Sequence, residues 1–244
     1  MSIQNLDERY SKLVAHWNPK SPIAEAYRTI RTNIQFAGVD REIKTILVTS
    51  TGPSEGKSTT SANLAIVMAQ SDKKTVYIDA DMRKPTGHHT FHVPNRKGLT
   101  SYLAGQAALD EVLQSTEIPN LLVIPAGPIP PNPAELLGSK RMTSFLEQLK
   151  QQFDYIVIDT PPTVAVADST ILATQVDGCI LVVNAGKTNR DLALKAKQQL
   201  ENVNAPLLGV VLNNKEIKGN NYYYYYYGEK QNNPNEKKGL FSRK

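Results

Sequence analysis

The stretch "TSTGPSEGKSTT", which begins at Thr49, has the residue types of a phosphate-binding loop. Such a loop joins a strand to a helix and presents backbone N–H groups to phosphates at the positive end of the helix dipole. Lys57 would reach the β and γ phosphates, and the hydroxyl of Ser58 would bind Mg²⁺. The sequence therefore predicts a site for ATP and Mg²⁺. Its predicted nucleotide-binding residues are Gly52, Pro53, Ser54, Glu55, Gly56, Lys57, Ser58 and Thr59.

The spacing of this loop departs from the usual pattern at one position. In G-x-x-x-x-G-K-[ST] the first glycine falls on Thr51, and Gly52 comes one residue too late. ATPases of the partitioning and cell-division-positioning type (MinD/ParA-like) have a similar layout, but they carry a second lysine early in the loop. Here that position is Gly52, which weakens an interpretation of the chain as a partitioning-type ATPase.

Three carboxylates follow buried strands and extend the predicted site. Asp79 and Asp81 end "TVYIDAD", and Asp159 ends "YIVID". The carboxyl ends of parallel strands meet at one edge of a sheet, where ligands bind. Asp81 and Asp159 would join Ser58 around Mg²⁺, while Asp79 or Asp81 would accept the proton of an incoming hydroxyl. The sequence does not choose between these two bases, and an aspartate that merely caps a turn is the alternative for either one. The predicted catalytic residues are Lys57, Asp79, Asp81 and Asp159.

Apolar strands alternate with helices along most of the chain, which predicts an α/β fold. The predicted strands cover 43–50, 75–81, 120–127, 154–160, 178–185 and 207–213. The predicted helices cover 22–37, 57–71, 98–105, 108–115, a helix beginning at Pro133, 139–152, 167–175 and 188–203. This alternation is typical of a mostly parallel central β-sheet flanked by helices on both faces.

Composition sets the boundaries of the domain and its surroundings. Residues 1–20 are polar and unpatterned, so we expect a flexible N-terminal segment before a domain at 21–214. After Asn214 the aliphatic pattern stops, which predicts a mobile, tyrosine-rich tail at 215–244. No apolar run approaches the roughly 18 residues of a membrane span, and the single cysteine suits a reducing compartment. A cytoplasmic protein is the expectation.

The net charge of +5 is concentrated in the tail, which has seven basic and three acidic residues and a net charge of +4. The domain is nearly neutral, so we expect no broad nucleic-acid surface. The basic tail alone could still attract an anionic membrane, nucleic acid or phosphate.

Several motifs together resemble the bacterial tyrosine kinases (BY-kinases), in particular the stand-alone cytoplasmic kinases of Gram-positive capsule and exopolysaccharide systems. They are "EAYRTIRTNIQF", "VTSTGPSEGKSTTSANLA", "IDADMRKP", "GLTSYLAG", "GPIPPNPAELL", "DYIVIDTPP" and a C-terminal tyrosine cluster. The resemblance implies a P-loop NTPase fold and an ATP- and Mg²⁺-dependent protein-tyrosine kinase. Lys57 and Ser58 would belong to Walker A, Asp79 and Asp81 to Walker A′, and Asp159 to Walker B.

The same resemblance implies the substrate and partners. Family members phosphorylate their own tyrosine cluster, generally on a neighbouring subunit of a ring. A membrane adaptor activates them through its cytoplasmic segment, which would bring the kinase to the inner face of the cell membrane, and other protein tyrosines are further substrates. The implied phosphorylation sites are Tyr222, Tyr223, Tyr224, Tyr225, Tyr226 and Tyr227. The implied ring motif, E-x-x-R-x-x-R, is Glu25, Arg28 and Arg31; by spacing alone these would be a solvated helix face.

Two further positions rest on the family. Asn213 follows the last strand where related ATPases contact the adenine base, although a buried asparagine in a turn explains it equally well. Ser54 stands where many relatives have glycine, and a serine there would be strained if the loop needs a positive φ.

Two rival functions remain for the sequence. The chain could be a P-loop ATPase that uses hydrolysis as an assembly or localisation switch, with the tail as a basic tether. It could instead be a non-catalytic partner of a polysaccharide export complex that binds nucleotide only for structure. The six tyrosines favour the kinase.

Overall fold

The computed structural model of the chain describes residues 12–39 and 41–215. The six tyrosines at 222–227, with the rest of the predicted tail after residue 215, lie outside the described residues. The first eleven residues of the predicted N-terminal segment also lie outside them.

A seven-stranded sheet runs through the middle of the described residues, with strand order β3-β4-β2-β5-β1-β6-β7. All neighbouring pairs are parallel except β3 and β4, which are antiparallel. This confirms the predicted α/β class with a mostly parallel sheet. The strands are β1 Thr45–Ser50, β2 Thr75–Asp79, β3 Gln114–Ser115, β4 Leu121–Ile124, β5 Tyr155–Asp159, β6 Gly178–Asn184 and β7 Leu207–Asn213.

Ten helices are described, and they cover both faces of the sheet. They are α1 Val14–Trp17, α2 Pro22–Ala37, α3 Lys57–Ala69, α4 Gly87–Phe91, α5 Leu99–Leu103, α6 Leu109–Val112, α7 Pro133–Leu137, α8 Lys140–Lys150, α9 Asp168–Ala173 and α10 Arg190–Asn202. One apolar cluster joins one face of the sheet to α1, α2 and α3. A second cluster joins the other face to α5 and α6 and to α8, α9 and α10.

The central strands are buried on both faces, which explains why their sequences are continuous apolar runs rather than alternating ones. Every residue of β1 and of β2 is buried. In the ladder between β2 and β5, Asp79 is the partner of Asp159. The register of β2 and β5 therefore places two of the predicted carboxylates side by side at the same edge of the sheet.

The folded part of the chain begins earlier than predicted. We expected the domain to start at residue 21, but Leu13 and Ala15 are buried against the cluster around α3. The side chain of Asn63 on α3 holds this segment, because its Oδ1 accepts the N–H of Ala15 at 2.8 Å and its Nδ2 donates to the carbonyl of Lys12 at 2.7 Å. Residues 13–20 therefore belong with the domain.

Three local predictions are wrong. Helical spacing predicts that Ile23 shares a buried stripe of α2 with Tyr27 and Ile34, yet Ile23 is 58% exposed. Gln114 and Ser115 were predicted to be helical, but they form β3 beside β4. The sequence also predicts that Asn132 caps the helix at Pro133 and that Glu135 reaches back to the N–H of Asn132. Pro133 does begin α7, but Asn132 makes no capping bond with its side chain, and Glu135 contacts the side-chain amide of Asn132.

Within the described residues, every helix is too short or too polar to cross a bilayer.

Candidate active site

The phosphate loop is residues 51–56, between the end of β1 and the first residue of α3. Two of its residues have left-handed backbone conformations, Ser54 with φ of 60° and Gly56 with φ of 94°. Serine at position 54 therefore adopts the positive φ for which glycine is better suited. Pro53 and Ser54 are exposed at the tip, while Glu55 is buried beneath it.

Asn213 at the end of β7 packs directly against this loop. Its Nδ2 donates to the carbonyl of Glu55 at 2.9 Å. A Cβ atom placed on Gly56 would lie only 2.0 Å from that same nitrogen. Asn213, which is half-buried at the end of β7, thus supports the loop through a contact within the chain; its contact with adenine stays a prediction.

Lys57 at the start of α3 is the centre of the charged cluster. Its Nζ lies 2.8 Å from Oδ2 of Asp81 and 3.7 Å from Oδ1 of Asp159, and it is 3.1 Å from Oγ of Ser58. Burial would lower the pKa of Lys57, but the charges of Asp159 and Asp81 outweigh it and raise the pKa. Lys57 is therefore a positive charge held in place at the edge of the sheet, beside the phosphate loop.

Asp79 and Asp81 have different surroundings, although only Ala80 lies between them. Asp79 is fully buried, and its carboxylate accepts the N–H groups of Thr86 at 3.0 Å and Gly87 at 2.7 Å, which are the first residues at α4. It also accepts the N–H of Asp81 at 3.2 Å. Burial and the nearby charge of Asp159 raise the pKa of Asp79 to about 7, against the N–H of Gly87, which lowers it. Asp79 shapes the loop after β2, whereas Asp81 faces Lys57.

Asp159 is fully buried at the end of β5. Burial raises its pKa, and the positive charge of Lys57 opposes this shift. The hydroxyl of Tyr77 donates to Oδ2 of Asp159 at 3.3 Å from the neighbouring strand β2. The other oxygen, Oδ1, is buried without a hydrogen-bond partner and faces Lys57.

Tyr77 is a residue of the site that the sequence did not identify. Burial raises its pKa well above the ordinary value, so the phenol stays protonated and keeps donating to Asp159 at neutral pH. The only signal in the sequence was a hydroxyl in the middle of the apolar run "TVYID". Alone, that hydroxyl does not distinguish a core tyrosine from one that serves a site.

The donors at this edge fit Mg²⁺ in kind. Ser58, Asp81 and Asp159 offer a hydroxyl and two carboxylates, and Oδ1 of Asp159 is a buried acceptor that receives no hydrogen bond. In the described part of the chain, no three His, Cys, Asp or Glu side chains form a ready-made metal site. Mg²⁺ usually takes one or two protein carboxylates together with substrate phosphates and waters, so a sparse donor set is compatible with it.

A second residue that the sequence missed is Asp168, the first residue of α9. It is fully buried, and its two oxygens accept Nε and Nη2 of Arg83 at 2.9 Å each. Arg83 follows Asp81 in the loop after β2. This two-pronged ion pair ties the loop that carries Asp81 to the segment that follows Asp159.

The predicted ring residues lie away from this edge, on α2. Arg28 pairs with Glu25 at 2.6 Å and contacts the carbonyl of Pro19. Arg31 donates to the carbonyl of Val67 at 2.8 Å. Val67 is ten residues along α3 from the site lysine, about 15 Å at the rise of a helix. The structure thus separates Glu25, Arg28 and Arg31 from the charged cluster.

The chain is similar in sequence to known proteins. A family profile described as an AAA domain matches residues 43–205. The tyrosine-protein kinase YwqD of Bacillus subtilis is 48% identical over 205 residues, which cover 84% of this chain and 86% of YwqD. The tyrosine-protein kinase CpsD of Streptococcus agalactiae is 45% identical over 190 residues, covering 78% of this chain and 82% of CpsD.

Solved structures are also similar to this chain. The chimerical protein CapA2B2 superimposes with a TM-score of 0.80 at 43% identity, covering 83% of this chain and 89% of that one. The septum site-determining protein MinD of Pyrococcus horikoshii, solved with Mg-ADP, superimposes with a TM-score of 0.59 at 22% identity over 69% of each chain. At that identity the likeness to MinD concerns the fold alone, and it is consistent with the P-loop NTPase architecture.

Proposed function

The chain belongs to the bacterial tyrosine-protein kinases, and we propose that it transfers the γ-phosphate of ATP to Tyr222–Tyr227 of its own C-terminal segment. The observation that supports this proposal is the cluster of Lys57 with Asp81 and Asp159 beside the phosphate loop, at 2.8 and 3.7 Å. The tyrosines begin eight residues after Asn214, a distance of at most roughly 26–29 Å when extended. That reach allows phosphorylation either within one chain or between neighbouring chains.

The residues of the cluster have distinct tasks in this reaction. The positive charge of Lys57 stabilises the negative charge that spreads over the transferring phosphoryl oxygens. Ser58, Asp81 and Asp159 would hold Mg²⁺, which neutralises phosphate charge when it is bound. Tyr77 keeps Asp159 oriented, because it donates to Oδ2 and leaves Oδ1 available.

The proton of the tyrosine hydroxyl passes to Asp79 or Asp81. A phenol has a pKa of about 10, so it needs a carboxylate that accepts its proton as it attacks. Asp79 is fully buried and holds three backbone N–H groups, whereas Asp81 is 5% exposed and pairs with Lys57. Asp79→Asn and Asp81→Asn, measured side by side for nucleotide affinity and for turnover, separate the two roles. The variant that lacks the catalytic base should lose turnover while it still binds Mg·ATP.

The proposal extends to the setting of the kinase. The chain would act in the cytoplasm as a ring of copies held by Glu25, Arg28 and Arg31. A membrane adaptor would recruit it to the inner face of the membrane and activate it through a cytoplasmic segment. Capsular or exopolysaccharide synthesis would be the process under its control, with further protein tyrosines as substrates. This setting is supported by the resemblance of the sequence motifs to the family, and not by the structure.

A P-loop ATPase that works as an assembly or localisation switch is the alternative. Water would then replace the tyrosine hydroxyl, and the tail would be a basic tether. The lack of a second lysine at Gly52 disfavours it. A membrane tether would more plausibly be an amphipathic basic helix than six tyrosines flanked by asparagine and glycine.

Mass spectrometry of the full-length protein after incubation with Mg·ATP tests the proposal. We expect phosphate on tyrosines 222–227, none in Lys57→Met, and none at these positions in a variant with all six tyrosines replaced by phenylalanine. The phenylalanine variant should keep its nucleotide affinity. Release of free phosphate from ATP without any phosphotyrosine would instead support the ATPase switch. Nucleotide binding with neither activity would support the non-catalytic alternative.

A further inference from the structure

A chain of hydrogen bonds connects the phosphate loop to the loop after β6. The backbone N–H of Asn184 donates to Oγ1 of Thr188 at 2.9 Å, and that hydroxyl donates to Oε1 of Glu55 at 2.6 Å. The second oxygen of Glu55, Oε2, accepts the N–H of Thr51 at 2.8 Å. We call these four residues, Thr51, Glu55, Thr188 and Asn184, the Glu55 relay. Both carboxylate oxygens of Glu55 and the hydroxyl of Thr188 are used in these bonds, so the side chain of Glu55 is held in one arrangement.

The relay anchors the phosphate loop beneath its exposed tip. Pro53 and Ser54 at the tip are exposed, but the side chain of Glu55 folds under them and is only 8% exposed. The carbonyl of Glu55 is held separately by Asn213 at 2.9 Å. One loop residue is therefore fastened twice to the edge of the sheet, through its side chain beside β6 and through its main chain at the end of β7.

We propose that Glu55 and Thr188 are positioning residues for the nucleotide. They hold the phosphate loop, before any nucleotide arrives, in the shape that turns its backbone N–H groups towards phosphate. A carboxylate has no favourable direct contact with a phosphate, so Glu55 acts through the loop and not on the ligand. The inference rests on the proposed function only in requiring that the loop binds nucleotide, and it holds for a kinase and for an ATPase alike.

Positioning has a kinetic signature that differs from catalysis and from simple stabilisation of the fold. If the loop has the receptive shape for only a fraction of the time, the apparent Kd rises by the reciprocal of that fraction. ADP and ATP are affected by the same factor, because both use the same loop. Once the nucleotide is bound the loop is in place, so kcat at saturating ATP does not change.

Thr188→Val and Thr188→Ser form a matched pair of variants in the full-length chain. Valine keeps the shape of threonine but removes the hydroxyl, whereas serine keeps the hydroxyl. We expect Thr188→Val to raise the Kd of Mg·ADP and of Mg·ATP alike by roughly five- to tenfold, the lower part of the range for a buried acceptor that loses its donor. Thr188→Ser should stay within about twofold of the wild type by the same argument. Titration calorimetry measures the two affinities, and kcat is measured at saturating ATP.

Three results would overturn the relay. They are an unchanged Kd with an unchanged Tm in Thr188→Val, an unchanged Kd with a lower Tm, and a lower kcat with an unchanged KM. The first two would reduce the relay to a structural contact, and the third would make it part of the chemistry.

Glu55→Gln and Glu55→Ala keep the question decidable if Thr188→Val fails to fold. Glutamine can still accept the N–H of Thr51 and bridge to Thr188, so its Kd should remain within about twofold of the wild type, while alanine removes the bridge and weakens binding about five- to tenfold. Equal losses in both variants would contradict a bridging role.

The proposed function and the relay fail in distinguishable ways. A wild type that binds Mg·ADP but leaves its tyrosines unmodified overturns the kinase proposal, while the Thr188 pair still tests the relay. A wild type that phosphorylates its tyrosines, with Thr188→Val binding equally well, overturns the relay alone. A wild type that binds no nucleotide overturns both.

Discussion

Lys57 and Asp81 form an ion pair, with Nζ 2.8 Å from Oδ2, that joins the start of α3 to the loop after β2. Asp159 adds a second carboxylate 3.7 Å from the same nitrogen. Both acids lie at the carboxyl edge of the sheet, and both side chains are at least nine-tenths buried. The lysine is therefore held charged and in position by the groups beside which a metal–nucleotide complex would bind.

Lys57→Met should abolish phosphotransfer. Loss of one preorganised positive group at a developing negative charge costs roughly 10²–10³ in kcat, and we expect at least that here. The variant also leaves Asp81 and Asp159 without their cation. Transfer of radiolabelled phosphate from ATP measures the effect, and Lys73→Met is the matched control because the side chain of Lys73 is exposed at the opposite end of the sheet. Retention of more than a tenth of the activity in Lys57→Met would contradict the role of this lysine.

Gly56→Ala should abolish nucleotide binding while the sheet stays folded. An added Cβ would lie 2.0 Å from Nδ2 of Asn213, and φ at Gly56 is 94°, which side chains rarely adopt. The loop must shift away from Asn213 to relieve the clash, and its backbone N–H groups then no longer point towards the phosphates. Calorimetric titration with Mg·ADP is the measurement.

Gly209→Ala is the control for that variant, because nothing lies within 4 Å of a Cβ placed on Gly209 in the edge strand β7. We expect its affinity to equal that of the wild type. If Gly56→Ala bound Mg·ADP as tightly as Gly209→Ala does, the loop described here would not be the nucleotide site.

The framework of this site could be read from the sequence because local and global signals agree there. Buried parallel strands are continuous apolar runs, and each of β1, β2 and β5 ends where a motif begins. A strand–loop–helix connection with lysine and serine at the start of the helix then predicts the position of Lys57. Register does the rest, since Asp79 and Asp159 are direct partners in the ladder between β2 and β5.

Residues that act through tertiary contacts could not be read in this way. Tyr77 looks like any core residue of a strand, and Asp168 has no motif around it, although each donates to or binds a residue at the site edge. Thr188 lies more than 130 positions from Glu55 along the chain. Such pairs form when loops that follow different strands pack together, and residue spacing within one segment does not predict those contacts.

Short and peripheral elements could not be predicted from the sequence for a related reason. Gln114 and Ser115 form a strand only because β4 offers its edge to them. Leu13 and Ala15 are buried because Asn63, on a helix about fifty residues away, holds the N–H of Ala15 and the carbonyl of Lys12. Neither segment has an apolar period of its own to predict from.

Arg83→Ala should destabilise the protein, because it leaves Asp168 fully buried without its two-pronged partner. Arg83 itself is 41% exposed, so water can replace part of what is lost. We expect a decrease in the free energy of unfolding of about 1–3 kcal/mol, measured by urea denaturation. Arg83→Lys should recover only part of it, because an ammonium group cannot make both bonds with the same geometry. Arg190→Ala, at an exposed position, is the control, and equal midpoints for all three variants would contradict the account.

Asp177 should give the protein a component of stability that is lost in acid. Burial would raise its pKa, but the N–H and hydroxyl of Thr45, the N–H of Lys44 and the charge of Lys150 lower the pKa on balance. A carboxylate with a depressed folded pKa stabilises above its unfolded pKa of about 3.9, and that stability disappears as the pH falls through the folded value. Asp177→Asn should therefore be less stable than the wild type by about 1 kcal/mol at pH 7, and by much less at pH 3.

Urea denaturation of both proteins at the two pH values measures this difference. Asp72→Asn is the control, because Asp72 has φ of 59°, a conformation that asparagine tolerates equally well. A gap between Asp177→Asn and the wild type that stays constant from pH 7 to pH 3 would show that the charge of Asp177 contributes nothing.

Replacement of Arg28 and Arg31 by alanine should reduce the size of the particles in solution, if the chain assembles as proposed through α2. Arg28 pairs with Glu25 on the exposed side of the helix, so its loss removes charge from the proposed contact surface. Arg31 also donates to the carbonyl of Val67 within the same chain at 2.8 Å, so the single variant Arg28→Ala tests assembly with less disturbance of the fold. Light scattering should then move towards the mass of one chain, 27.0 kDa. Arg41→Ala, at another exposed arginine, should keep the wild-type mass. A wild type that already has the mass of one chain, or an unchanged mass in the double variant, would contradict the ring.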